Sequence, residues 1–139
     1  MENQKITDDL KSHFLNLYSI ALSDCQIDTV ELNLLFKIGE ENNVSKESIE
    51  HLILHPNDVR FTIPEDILKK IEYLYDFARM IYADKVIDPA EVQIMRKFCS
   101  KFGFADENID ELSDFFISEV KKGTTKNEIF NIVNQILNQ

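Results

Sequence analysis

Tryptophan is absent, and glycine and proline occur only three times each in 139 residues. So few turn-forming residues exclude a turn-rich all-β fold and a long disordered linker. Cysteine occurs twice, as Cys25 and Cys99. Two are too few for a disulfide framework, so both read as reduced thiols, with Cys99 in the core. No run of eighteen apolar residues is present, which excludes a membrane-spanning helix. The start, Met1-Glu2-Asn3-Gln4-Lys5-Ile6-Thr7-Asp8-Asp9, is polar and lacks the apolar stretch of a signal peptide. A cytoplasmic protein without membrane insertion is therefore expected.

Positive charge is also scarce. Fifteen Lys and Arg face 25 Asp and Glu, for a net charge of -10. The deficit runs along the chain: residues 1–60 carry 5 basic and 11 acidic groups, residues 61–139 carry 10 and 14. No basic run stands out, so the electrostatic drive for nucleic acid or anionic lipid is missing. Cations, basic partners or simple solubility suit such a surface better.

What is present is an apolar content of 44%, enough for a self-sufficient core in a single domain spanning residues 1–139. The chain also matches itself without a gap when shifted by sixty residues. Residues 23–52 and 83–112 are identical at eight of thirty positions, among them Asp24/Asp84, Ile27/Ile87, Asp28/Asp88, Glu31/Glu91 and Ile49/Ile109. Average compositions would give about two identities. Asn43 corresponds to Gly103, the two residue types that best tolerate a left-handed helix end.

Apolar spacing predicts an all-α fold of about seven helices. The first covers about Asp8–Leu22. The second starts after Asp28, with Glu31 as capping-box partner, and ends near Asn42–Asn43. Ser45 caps a third that stops before Pro56. The fourth, about Pro64–Tyr82, opens on Thr62 as cap and is apolar over most of its girth, as a central buried helix would be. The fifth starts at Asp88-Pro89-Ala90-Glu91 and ends at Gly103. The sixth covers about Asp106–Lys122, and Thr125 caps the seventh, about 126–138. Repeat one is thus about 8–55 and repeat two about 64–120.

Each repeat carries Asp-x-x-Ile-Asp-x-x-Glu in the loop between its first two helices: Asp24, Ile27, Asp28, Glu31, and Asp84, Ile87, Asp88, Glu91. The isoleucine would pin the loop to the core. Asp28 with Glu31, and Asp88 with Glu91, have the spacing of capping boxes, a role that needs no ligand and keeps the acids ionised. Asp24 and Asp84 differ. They follow a helix C-terminus, where the dipole disfavours negative charge by about 0.3–1 kcal/mol. Loop amides, a lysine or a bound cation must favour them. Three carboxylates plus loop carbonyls go part of the way to a hard divalent cation's oxygen shell, although this is not an EF-hand spacing. The metal candidates are therefore Asp24, Asp28, Glu31, Asp84, Asp88 and Glu91.

These loops resemble those of the TerB-like family, tellurite-resistance-associated helical domains related to the N-terminal region of DjlA-type co-chaperones. The family pattern is an Ala-Asp-Gly loop, an apolar residue and a Glu in the following helix. Ala83-Asp84-Lys85-Val86-Ile87 with Glu91 follows it except that Lys85 stands for Gly. Ser23-Asp24-Cys25-Gln26-Ile27 with Glu31 departs further, with Ser23 for Ala and Cys25 for Gly. The resemblance covers roughly Leu10–Phe116. It implies a seven-helix internally repeated fold, a link to tellurite resistance and stress responses, and metal binding at the acidic loops. Losing both glycines would alter the loop backbone, because Lys and Cys do not reach positive φ cheaply. Lys85 also brings a positive charge that could stand in for a metal beside Asp84.

Other candidates carry less. His51 and His55 lie at i, i+4 with Glu47 a turn earlier, a face able to hold zinc but without the HExxH pattern; histidines near a helix C-terminus explain it as well. Cys25 has no identifiable base and orienting group, so it does not read as a nucleophile. Tyr73, Tyr75, Phe77 and Tyr82 read as core, or in part as a face for a partner or second subunit. No catalytic residues and no phosphate-binding Gly loop are present. The expectation is a non-enzymatic module, monomer or homodimer, that binds a partner protein, with a divalent cation its only implied cofactor. A metal-dependent small hydrolase using the acidic loops and a ligand-free interaction protein are the alternatives.

Overall fold

The computed structural model describes residues 6–22 and 28–137, and among them every regular element is helical. The helices are α1 (Asp8–Ala21), α2 (Thr29–Glu41), α3 (Lys46–Leu54), α4 (Ile67–Ile81), α5 (Pro89–Lys101), α6 (Asp106–Lys121) and α7 (Lys126–Leu137). A 3₁₀ turn over Pro56–Asp58 follows α3. The all-α bundle expected from apolar spacing is what forms, and none of its described helices is long and apolar enough to cross a membrane.

Local chemistry sets most helix ends. The Thr7 hydroxyl accepts the Leu10 N–H at 3.1 Å, and the Ser45 hydroxyl accepts the Ser48 N–H at 3.1 Å, each satisfying a free first-turn amide. Asp28 and Glu31 form the full capping box, Glu31 N–H to Asp28 at 2.8 Å and Asp28 N–H to Glu31 at 3.4 Å. Thr125 and Glu128 cap α7 in the same way.

One start differs from the sequence expectation. Thr62 does not cap α4; Asp66 does, accepting the Leu68 N–H at 3.1 Å, and the helix opens at Ile67. Thr62 is committed elsewhere. Its N–H donates to the Ser12 hydroxyl at 3.2 Å and its hydroxyl to Asp9, which ties the segment before α4 to α1.

The bounds recur at an offset of sixty. α2 and α5 have 13 residues each and begin and end sixty positions apart. Both stop at a left-handed residue, Asn43 (φ 61°) and Gly103 (φ 97°). Both then make the same closing bond, Val44 N–H to Gly39 O at 2.8 Å and Phe104 N–H to Cys99 O at 3.2 Å. At this offset Leu35 matches Met95, Ile38 matches Phe98 and Ile49 matches Ile109, all buried.

α4 is the centre, touching α1, α2, α5, α6 and α7. Its buried face (Ile71, Leu74, Phe77, Ala78, Ile81) meets Phe14, Leu17 and Ile20 of α1 and Phe98, Phe102 and Phe116 beyond. Cys99 belongs to this core as expected, and burial pushes its thiol up to about 12, so it is inert at neutral pH.

Candidate functional site

The first turns of α2 and α5 place their glutamates together. Asp24, with Cys25 and Ile27, lies outside the described residues. The other five metal candidates are placed. Glu31 and Glu91, sixty positions apart, are each only 5% exposed and lie against one another. Asp28, Asp84 and Asp88 bear on the pair electrostatically. Glu31 and Glu91 therefore form an acidic junction between the N-termini of α2 and α5, within the electrostatic reach of Asp28, Asp84 and Asp88.

That meeting breaks one sequence expectation. Asp88 caps α5, but through the Ala90 N–H at 2.9 Å, and Glu91 does not reach back to close a box. Its carboxyl is spent on Glu31 instead. Glu31 serves both its own box and this contact.

Acids at helix caps were expected to stay ionised, and Glu91 does not. Burial pushes its pKa up to about 9, helped by the Glu31 hydrogen bond and by the charges of Glu31, Asp88 and Asp84. Burial also raises Glu31, while its hydrogen bonds to Glu91 and to the Asp28 amide work the other way. Two carboxyls in contact cannot both ionise cheaply, so burial and mutual repulsion favour one shared proton on the pair.

Asp84 and Lys85 resolve two questions posed by the sequence. Asp84 is stabilised by a loop amide, accepting the Val86 N–H at 3.0 Å. Lys85 does not stand in for a cation at Asp84; its Nζ lies over the Tyr82 ring, 5.2 Å from the centroid. Lys85 has φ 67°, so the loop takes the left-handed turn that glycine favours even though glycine is missing. The expected change of loop backbone does not occur in this repeat. A left-handed non-glycine residue costs roughly 1–2 kcal/mol, against about 0.5–1 kcal/mol of glycine chain entropy and a similar cation–π loss. The two sides cancel, so Lys85→Gly should leave stability within about 0.5 kcal/mol of the parent. Urea midpoints check this, and a lower midpoint would mean the Tyr82 contact outweighs the backbone strain.

Ile87 packs partly buried against the core, as a loop pin should. Among the described residues no three His, Cys, Asp or Glu side chains stand close enough together to hold a metal ion. His51 and His55 are exposed and stacked, 4.3 Å between centroids, with His55 Nδ1 3.0 Å from the His51 carbonyl. They behave as a helix-end pair.

A second polar cluster was not foreseen from the sequence. His13 Nε2 lies 2.9 Å from Asp76 Oδ2 with both side chains fully buried, and the imidazole stacks on Tyr73 at 3.7 Å. Asp76 Oδ1 also receives Arg79 at 3.3 Å and Lys126 at 3.4 Å. Arg79 in turn grips Glu41 with two bonds of 2.8 and 3.0 Å. The cluster fastens α1, α2, α4 and α7 together. An aspartate inside the apolar stripe Tyr73–Ile81 is the signal that could have found it, because a lone buried carboxylate needs partners.

Comparisons with family models, with curated proteins and with solved structures found no match.

Proposed function

We propose that this chain is a non-catalytic, TerB-like helical module that binds a partner protein and takes up a divalent cation where the first turns of α2 and α5 meet. The observation that carries the cation reading is the contact between Glu31 and Glu91. Residues at equivalent repeat positions meet as buried carboxyls, both with raised pKa, under the charges of Asp28, Asp84 and Asp88. His13 and Tyr73, also sixty apart, stack on one another as well. Two such self-meeting pairs support a two-fold relation between the repeats, with the junction on its axis. The glycine-like turn at Lys85 supports the kinship of that loop with the TerB pattern.

A cation would replace the shared proton, with the aspartates turning inward to complete an oxygen shell. Uptake must then strengthen as pH rises. For a dissociation constant of order 0.1–1 mM, about 10 mM Ca²⁺ adds roughly 1.4–2.7 kcal/mol. That is a melting-temperature rise of several degrees near pH 8.5, shrinking near pH 6. Glu91→Gln and Asp84→Asn should each reduce it. An unchanged melting temperature with Ca²⁺, Mg²⁺ and Zn²⁺ at the higher pH rejects cation uptake.

For the partner, an apolar groove of about 510 Å³ runs between α4, α6 and α7, floored by Ile71, Leu112, Phe115 and Val133. Ile67 in its wall remains 40% exposed. These residues support a partner-binding role.

A further inference from the structure

Five of the twelve residues lining one surface cleft are basic and none is acidic, in a chain of net charge -10. The cleft holds about 500 Å³ between α2, the segment after α4 and the end of α6. Its cations come from separate stretches, Lys37, Arg79, Lys85, Lys121 and Lys122, which is why the sequence shows no basic run. Two are already compensated: Arg79 by its forked bonds to Glu41, and Lys122 by Glu119 at 3.1 Å. Lys37, Lys85 and Lys121 have no carboxylate partner among the described residues.

Like charges gathered around one concavity repel one another, and an anion relieves that repulsion. The remaining lining is largely apolar, including Val30, Leu34 and the Tyr82 ring, and Val30 is 50% exposed. A cleft with cations at the rim and an apolar wall suits a ligand with an anionic end and an apolar or planar body. Its volume falls within the roughly 300–1,000 Å³ of small-molecule sites. An extended polyanion is disfavoured, because 25 acids against 15 bases leave the chain as a whole strongly negative.

We propose that this cleft binds a phosphorylated small molecule of mononucleotide size, its phosphates between Lys37, Lys85 and Lys121 and its body against Tyr82 and Leu34. The site uses side chains distinct from the acidic junction, so it stands or falls independently of cation uptake.

The test is an amide NMR titration of the whole chain with inorganic pyrophosphate and with ADP, in EDTA so that no divalent cation contributes. Shifts are expected at Val30, Leu34, Lys37, Ala83, Lys85 and Gly123, with ADP binding about 3–10-fold tighter than pyrophosphate through its base and ribose. Affinity should fall as salt is added. Lys37→Glu with Lys121→Glu should weaken ADP at least about tenfold while the rest of the spectrum is unchanged. Lys37→Gln with Lys121→Gln gives a milder loss in the same direction if the reversals disturb folding. No shifts at about 10 mM ligand, shifts centred elsewhere, or equal affinity in the variants would overturn the proposal. So would tighter binding, phosphate for phosphate, by a single-stranded RNA oligomer or by an acidic peptide.

Discussion

Asp76→Ala is expected to destabilise the protein by about 3–5 kcal/mol, the range for removing one partner of a buried charged pair. Asp76 is fully buried and serves three donors at once: His13, Arg79 and Lys126. Arg79 keeps Glu41 and Lys126 keeps Glu72 at 3.6 Å, so the stranded group is His13, whose Nδ1 already has no partner. Its Nε2–H would lose its acceptor inside the core. The apolar double replacement His13→Phe with Asp76→Leu should recover most of the loss, because it leaves no polar group unpaired there. Urea unfolding of both singles and the double gives the coupling directly. A loss below about 1 kcal/mol in Asp76→Ala would mean that the buried His13–Asp76 pair contributes little to stability.

The same cluster fixes how the protein responds to acid. Burial lowers the His13 pKa against the opposing pull of Asp76, so the imidazole is neutral when folded and ready to be protonated when unfolded. For Asp76, burial acts upward but is outweighed by the His13 hydrogen bond and the charges of Lys126 and Arg79, so its pKa is lowered. Both shifts give stability that is present at neutral pH. The His13 share is lost as pH falls below its unfolded value of 6.5, and the Asp76 share below 3.8.

Whatever depends on neighbours in sequence was legible before the structure. Asp28, Ser45 and Thr125 cap the helices they were expected to cap, and the helical period of Ile71, Leu74, Phe77, Ala78 and Ile81 marked α4 as central. Errors came where a tertiary partner competed for the same group. Thr62 had the spacing of a cap but was claimed by Ser12 and Asp9. Glu91 had the spacing of a box partner but was claimed by Glu31. Neither competitor is near in sequence, so no local pattern reveals it. The basic cleft was hidden for the same reason, since Lys37, Lys85 and Lys121 adjoin only after folding. The left-handed turn at Lys85 was hidden differently: lysine does not advertise positive φ, and the missing glycine led to the opposite expectation.

The junction should make the protein lose stability as pH rises, and Glu91→Gln should remove that loss. The Glu91 pKa is raised from 4.5 to about 9 on folding, so the folded state binds a proton that the unfolded state releases. Its stabilising share is complete below the unfolded value and drains away as pH climbs toward the folded one. Each pH unit inside that window costs at most about 1.4 kcal/mol, less where Glu31 takes over part of the titration. Between about pH 4.5 and 6.5 this slope opposes that of His13, so stability should peak there and decline on the alkaline side. Glutamine keeps a donor for Glu31 but cannot ionise, so its melting temperature should stay level from about pH 6.5 to 9 while the parent's falls by several degrees. Parallel profiles for the two proteins would show that Glu31 and Glu91 do not share a proton. The proton-for-cation exchange would then lose its physical basis, because a junction already ionised at neutral pH has no proton for a metal to displace.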